Sequence, residues 1–424
     1  MSQFKTLYAF EVRKIWKRKI VWITMGILMA ATVFMGIAEV FSTYTVSDRQ
    51  GMIEISGFAY RDREKKNAET IVGRSINDDL LDQVKDAYRG VYTGEYDTER
   101  YGQTSAAMFM TGEISDGESG EDVKQRILAQ EQYREIYKYV YHITGNYDAI
   151  HEISEEALYR ERTDYQEKEM MWQGLSEGEK DYWREKEQTI GKPFVYGYAK
   201  GWYKVLEEFL TLNFELVLAV AVCLSTVFSE EHVRRTDQLI LCSQNGRNAL
   251  LLAKISAGVT FGMISAVVLF LLALISTIAF FGPEGFDTAL QIIIPISSWN
   301  LTVGQTVLLL GAVYLVAAVL YSIIAMFLSE AMKNSVAVMG LMVGCLIATM
   351  IFSVPERFRV LSQLYDLIPT VLAGVWNLTD YRLVKLCGTY LTNYQTALLL
   401  YVAISAVLVF WIRHLYRSFQ VSGR

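Results

Sequence analysis

Residues 255 to 281 read ISAGVTFGMISAVVLFLLALISTIAFF, a run without a single formal charge. A helix needs roughly 20 largely apolar residues to cross the hydrocarbon core of a bilayer. Pro295 and Asn300 divide the longer uncharged run 288–329 into an outer piece, which could be re-entrant, and one helix. Further uncharged runs lie at 20–38, 288–329, 334–355 and 386–412, and a sixth candidate at about 209–229 contains one acid, Glu215. These runs predict an all-α polytopic membrane protein with six transmembrane helices.

Residues 45–205 are the exception, because they contain no long apolar run. They carry 22 Lys and Arg against 32 Asp and Glu, whereas the rest of the chain carries 18 and 14. Asn77 is a predicted N-cap of an amphipathic helix, another helix is predicted after Ser119, and Ser176 with Glu179 forms the pattern of a capping box. We therefore predict a large, acidic, mainly helical extracellular domain between transmembrane helices 1 and 2.

The expected organisation follows from these runs and the charges between them. We expect an interfacial amphipathic helix at 1–19 and transmembrane helices at 20–44, 206–229, 249–281, 304–329, 334–355 and 391–413. The extracellular domain is expected at 45–205 and a charged cytoplasmic segment at 230–248. Outer loops are expected at 282–303 and 356–390, the second with interfacial helices, and a tail at 414–424. An alternative for the first segment is a polar, frayed start of the first transmembrane helix.

Lys and Arg in short loops predict the orientation, because such residues are enriched on the cytoplasmic side. Residues 1–19 carry six of them against one acid, and the last twelve residues carry three and no acid. Six crossings place both termini on the same side, so both are expected in the cytoplasm. None of the four cysteines lies in 45–205, so disulfides do not hold that domain, which is compatible with a bacterial plasma membrane.

Catalytic motifs are missing from the sequence. It contains no His-Glu-x-x-His pair, no Gly-x-Ser-x-Gly elbow and no Gly-x-x-x-x-Gly-Lys-[Ser/Thr] phosphate loop. We therefore expect no catalytic residue, no metal site, no cofactor and no nucleic-acid partner in this chain. Energy for any work would have to come from another protein.

The stretch FSEEHVRRTDQLILCSQNGR, residues 228–247, interrupts the apolar runs with six charges. Thr236 is a predicted N-cap, Asp237 complements the helix dipole, and Leu239 lies on an apolar side. Asn245 and Gly246 favour a turn that ends the helix. The segment is interpreted either as a short helix that docks on a soluble partner or as a solvated turn whose charges only enforce topology.

The order of an amphipathic start, a span, an outer insert, a span, this charged segment and four more spans resembles the permeases of ABC type-2 transporters. The matching positions in the charged segment are Glu231, Thr236, Leu239, Ser243, Arg247 and Lys254. Arg235 departs from a usual Gly and Gln244 from a frequent Pro, while LYDLIPT at 364–370 is similar to the family's outer helical turn. The resemblance covers the membrane portion and not the outer domain.

The resemblance implies a coupling helix that contacts a separate ABC ATPase subunit, which would bind ATP and Mg. A second permease copy, or a paralogue, would complete the pathway in the lipid bilayer. The coupling residues implied are Glu230, Glu231, Arg234, Arg235, Thr236, Asp237, Leu239 and Arg247.

Two further patterns concern packing and cargo. The pairs Gly258/Gly262 and Gly340/Gly344 predict close helix packing, because small residues let helices approach in lipid. Glu39, Glu208 and Glu215 predict an outer vestibule for cationic or amphipathic cargo, since ionised groups in a span usually face a cavity or partner. The alternative is that these carboxylates lie in water above the hydrocarbon.

The sequence thus predicts the permease of an ATP-driven exporter for an amphipathic cargo, such as a peptide antibiotic, a bacteriocin or a lipid-linked molecule. The main rival is a membrane receptor with an extracellular binding domain, for which six spans are more than needed. An intramembrane enzyme is disfavoured, because no span carries paired catalytic groups.

Overall fold

The computed structural model describes residues 2–48, 51–89, 120–233 and 248–418. Over these residues the chain is mainly helical, as predicted. The predicted short helix from Asp237, with the coupling residues Arg234, Arg235, Thr236, Leu239 and Arg247, lies outside the described residues.

The chain begins with α1 (Ser2–Trp16), and a break at Lys17 and Arg18 separates it from the apolar α2 (Lys19–Gly36). A 3₁₀ turn and a hairpin of β1 (Thr43–Asp48) and β2 (Gly51–Ser56) follow. The helix therefore ends well before residue 44, the predicted end of the first span. The described residues are mostly helical, in line with the predicted all-α class, but they also contain this hairpin and a second one.

The other long apolar helices are α8 (Lys200–Leu224), α10 (Ala249–Phe281), α12 (Val303–Met332) and α16 (Asn393–Ser418). The short α9 (Thr226–Val233) follows α8 after a bend at Ser225. Among the described helices, five are long and apolar enough to cross a membrane: α2, α8 with α9, α10, α12 and α16. The remaining predicted span, 334–355, corresponds to α13 (Ser335–Ile351), an apolar helix that is shorter than the other five.

The apolar helices form one bundle. In it α8, α10 and α12 contact one another, α2 packs on α8 and α10, and α13 and α16 pack on α12. Helices α8 and α12 are the most buried and α2 and α16 the most exposed. Helices α8 and α12 are therefore the centre of the bundle, and the other apolar helices pack around them. The exposed apolar faces of the outer helices suit lipid.

The insert between α2 and α8 contains α3 (Gly57–Glu69), α4 (Asp78–Ala87), α5 (Gly120–Thr144), α6 (Glu155–Trp172) and α7 (Glu177–Gln188). The Asn77 side chain accepts a hydrogen bond from the Leu80 amide at 3.2 Å, and the capping box of Ser176 and Glu179 is present. Both predicted helix starts are confirmed. Leu80, Leu81 and Val84 are fully buried in the insert's own core.

The connections at the same end of the bundle are α11 (Leu290–Ile293), α14 (Arg359–Asp366), α15 (Pro369–Leu372) and the hairpin of β3 (Leu383–Leu386) and β4 (Thr389–Thr392). Arg162 of α6 donates to the carbonyls of Pro295 and Ser297 at 2.6 and 2.8 Å. Trp183 of α7 donates to the Tyr381 carbonyl at 2.6 Å. These bonds hold the insert on the loops before α12 and α16. We call this end of the bundle the insert end and the opposite end the α1 end.

Candidate functional site

A group of four charges, three of them buried, lies at the α1 end, close to the point where α9 ends at Val233. Lys254 of α10 is fully buried, and its ammonium contacts Glu231 of α9 and, at 3.3 Å, Glu11 of α1. Lys14 of α1 pairs with the same oxygen of Glu231 at 2.9 Å. We call Glu11, Lys14, Glu231 and Lys254 the α1 charge cluster. It joins α1 to α9 and α10, which lie more than 200 residues further along the chain.

The cluster is electrically balanced, with two carboxylates and two ammonium groups. Burial alone would lower the pKa of Lys14, but the carboxylates of Glu231 and Glu11 outweigh it and raise that pKa above its usual value. Lys14 is therefore a cation at physiological pH. Removing charges from water is expensive, and good mutual geometry is what makes a buried group of this kind tolerable.

Neighbouring polar contacts fix the same region from two other sides. Arg18, in the break between α1 and α2, pairs with Glu230 at 2.9 Å and donates to the Cys223 carbonyl at 3.3 Å. The Ser329 hydroxyl of α12 accepts from the Phe228 amide at 3.2 Å and donates to the Ser225 carbonyl at 2.6 Å. The bend between α8 and α9 is thus fixed to α12 and to the start of α2, so α9 has little freedom to move independently.

Two of the predicted coupling residues, Glu230 and Glu231, therefore lie in described structure, and both form ion pairs with the N-terminal region. Reasoning from the sequence missed the part played by Glu11, Lys14 and Arg18. A signal was present, since Lys254 is a cation inside an otherwise apolar stretch and Glu11 is the single acid among the first 19 residues. Ionisable residues inside membrane helices usually pair with one another.

The two glycine pairs differ in their surroundings. A Cβ on Gly258 would meet Met326 of α12, and one on Gly262 would meet Ser322 and the Ala318 carbonyl. These two glycines lie where α10 and α12 approach closely. A Cβ on Gly340 or Gly344 would meet nothing within 4 Å among the described residues. The predicted packing role of this second pair therefore has no counterpart within the described part of the chain.

The three predicted cargo carboxylates do not meet at one point. Glu39 pairs with Lys204 at 2.7 Å, and Glu215 is buried and accepts a hydrogen bond from the Thr32 hydroxyl of α2 at 2.5 Å. Glu208 has one buried carboxylate oxygen without a hydrogen-bond partner among the described residues. Glu39 and Glu215 thus have local partners that account for their charge or polarity, which the sequence did not reveal.

Taken together, the apolar bundle and the buried charges at one of its ends define a multi-pass helical membrane protein. A family model described as ABC-2 family transporter protein matches residues 6–406. The chain belongs to this family and is a permease of the ABC-2 type. The match includes the insert, which the resemblance noted from the sequence did not cover. Comparisons with curated proteins and with solved structures find no significant match.

Proposed function

We propose that the chain is the membrane subunit of an ATP-driven exporter and that its α1 end faces the cytoplasm and receives a separate ABC ATPase subunit. Membership of the ABC-2 family supports an ATPase partner. The excess of Lys and Arg in residues 1–19 supports the orientation. ATP and Mg would be bound by that partner, because this sequence has no phosphate loop.

The α1 charge cluster is the observation that carries the proposal. It links α9, the element that leads directly into residues 234–247, to α1 and α10 by buried ion pairs. A push on residues 234–247 would therefore move α9, α1 and α10 together rather than bend one connection. A solvated turn that only enforced topology would not require a fully buried Lys254 and buried carboxylates at its base.

Transport would take place between this chain and a second permease copy or a paralogue. The proposed cargo is amphipathic, such as a peptide antibiotic, a bacteriocin or a lipid-linked molecule, and the proposed direction is outward. The acidic insert, with a formal net charge of −10 over residues 45–205, favours cationic groups on that side. Glu208 is the proposed cargo contact among the three carboxylates, because Glu39 and Glu215 already have partners.

The test is co-purification. The chain extracted in mild detergent from its native cells is expected to bring down an ATPase. Joint replacement of Arg234, Arg235 and Asp237 by Ala is expected to lower the recovered ATPase activity at least tenfold. The matched control replaces Lys85, Arg89 and Asp82 of the insert by Ala and is expected to leave the recovered activity unchanged.

A membrane receptor with a binding insert remains the rival from another class. It predicts that the chain is recovered without an ATPase, in the presence or absence of the three replacements. If the unaltered chain brings down no ATPase, this result contradicts the exporter proposal and favours the receptor.

A further inference from the structure

A cavity of about 260 Å³ lies at the insert end, far from the α1 charge cluster. It is bounded by α3, by α5, by the segment that leads into the first turn of α8, and by the turn around α11. The candidate membrane span begins at Lys200, which is part of the cavity wall. The cavity therefore lies where the insert meets the end of an apolar helix, at the height expected for lipid headgroups if the span is embedded.

Both signs of charge line this cavity in equal number. The charged lining residues are Glu64, Glu131, Glu135, Arg134, Lys138 and Lys200. Partial desolvation would raise the pKa of Glu135, but Lys138 and Arg134 hold it below its usual value, so this carboxylate is ionised at neutral pH. Burial and Lys138 lower the pKa of His142, which leaves that lining residue neutral. The cavity can thus offer anions and cations to one ligand.

Three of the ion pairs along the cavity are loose, whereas Lys138 pairs with Glu135 at 3.1 Å and Arg63 closely contacts Glu131. Glu64 lies 3.5 Å from Arg134 and 3.7 Å from Lys200, and the Nε of Arg134 lies 3.6 Å from Glu135. Close pairs of this type measure about 2.7–2.9 Å. The Arg134 Nε and the Tyr139 hydroxyl are moreover buried without a hydrogen-bond partner among the described residues. Buried polar groups are usually paired, and a ligand in the cavity could supply the bonds that these two atoms lack.

We propose that this cavity binds a small zwitterion, in which a primary ammonium and an anionic group are a few bonds apart. Glu64 and Glu135 would accept from the ammonium, and Arg134 and Lys138 would donate to the anion. A cavity this small suits a headgroup or an amino acid better than a drug-sized molecule, for which pockets measure about 300–1,000 Å³. The chemistry is shared by the phosphoethanolamine headgroup of a lipid and by a free amino acid. The proposal does not rest on the transport function.

Calorimetric titration of the purified full chain tests it with O-phosphoethanolamine, glycine, ethanolamine and inorganic phosphate. At least one zwitterion is expected to bind at least tenfold more tightly than ethanolamine or phosphate alone. Tighter binding of phosphoethanolamine assigns the site to a lipid headgroup, and tighter binding of glycine assigns it to a free amino acid. If neither zwitterion binds, or if one half-ligand binds as tightly as the better zwitterion, the proposal is wrong.

A pair of matched variants locates the binding. Glu64→Gln removes one cavity charge with little change of shape and is expected to weaken zwitterion binding about tenfold, since hydrogen bonds to charged groups are the stronger ones. Glu167→Gln removes an insert carboxylate that pairs with Arg184 away from the cavity, and binding should be unchanged. If Glu64→Gln fails to fold, Lys138→Gln replaces it, because Lys138 is partly exposed. Unaltered binding in the folded cavity variant would overturn the assignment.

Discussion

Lys254 shows how a single residue can be both costly and necessary. It lies in an otherwise apolar helix, it is fully buried, and it is neutralised by Glu231 and Glu11. The gain from such a group over an apolar substitute can be close to zero, whereas loss of one partner leaves a buried charge without compensation. Replacement of Lys254 alone and its replacement together with an acidic partner should therefore change the stability of the chain very differently.

Lys254→Met is expected to destabilise the chain by about 3 kcal/mol, because Lys14 alone remains to neutralise Glu11 and Glu231. The double variant Lys254→Met with Glu231→Gln should regain a large part of that loss. Thermal unfolding in detergent measures both. The control Lys85→Met removes a more exposed pair with Asp82 and should cost at most about 1 kcal/mol. Equal losses for Lys254→Met and Lys85→Met would contradict this account.

The glycine pairs give a second prediction at the scale of one residue. Gly262→Leu forces a side chain against Ser322 and the Ala318 carbonyl, so we expect destabilisation by about 1–3 kcal/mol or more. Gly344→Leu meets open space and should change the stability of the isolated chain little. The free energies of unfolding of the two purified variants test this prediction. A Gly344→Leu variant that is as unstable as Gly262→Leu would contradict the packing described for α10 and α12.

At the scale of elements, α6 and α7 hold the loop that precedes α12. Arg162 is fully buried and bonds to Glu187 as well as to the Pro295 and Ser297 carbonyls. Gln166 donates to the Ile296 carbonyl at 3.0 Å. The helices of the insert therefore position a stretch of backbone that Pro295 keeps from forming a helix.

Acid should loosen this contact. Burial would raise the pKa of Glu187, but Arg162 and Lys192 hold it below its usual value of 4.5. Its ionised form therefore stabilises the fold at pH values above 4.5, and this contribution is lost as the pH falls through the lower pKa of the folded protein. Glu187→Gln should be less stable than the unaltered chain at pH 7, and the gap should narrow below pH 4.5.

Unfolding of both proteins across this pH range checks the prediction. Glu185→Gln, an exposed substitution on the same helix, should follow the unaltered chain at every pH. A gap between Glu187→Gln and the unaltered chain that stays constant from pH 7 to pH 3 would show that the charge of Glu187 is not what holds the insert.

Local sequence signals predicted the starts of helices well where neighbouring residues determine those starts. The caps at Asn77 and Ser176 and the helix after Ser119 needed only neighbouring residues. The early end of α2 was not predicted, because the apolar run continues past Gly36; a 3₁₀ turn and then the hairpin, paired from Thr43 with Ser56 to Asp48 with Gly51, follow instead. Helix α13 is shorter than predicted for a similar reason, because an apolar run sets the greatest length of a helix but does not fix where the helix ends.

At the scale of the whole molecule, apolar runs were enough to predict a multi-pass helical protein with one large insert. They could not predict which charges meet. Glu11 and Lys254 are 243 positions apart, and Arg162 lies 133 positions from Pro295, so only the folded chain brings each pair together. The cavity beside α5 was invisible for the same reason, because its charges come from three separate parts of the sequence.

The central claim is that the α1 end faces the cytoplasm and the insert end faces outward, and cysteine accessibility tests it most directly. Two single-cysteine chains are needed, one with Cys242 and one with Cys387, which is exposed between β3 and β4. An impermeant thiol reagent added to intact cells is expected to label Cys387 and to reach Cys242 only after the cells are opened. Labelling of Cys242 in intact cells, with Cys387 protected, would contradict the account.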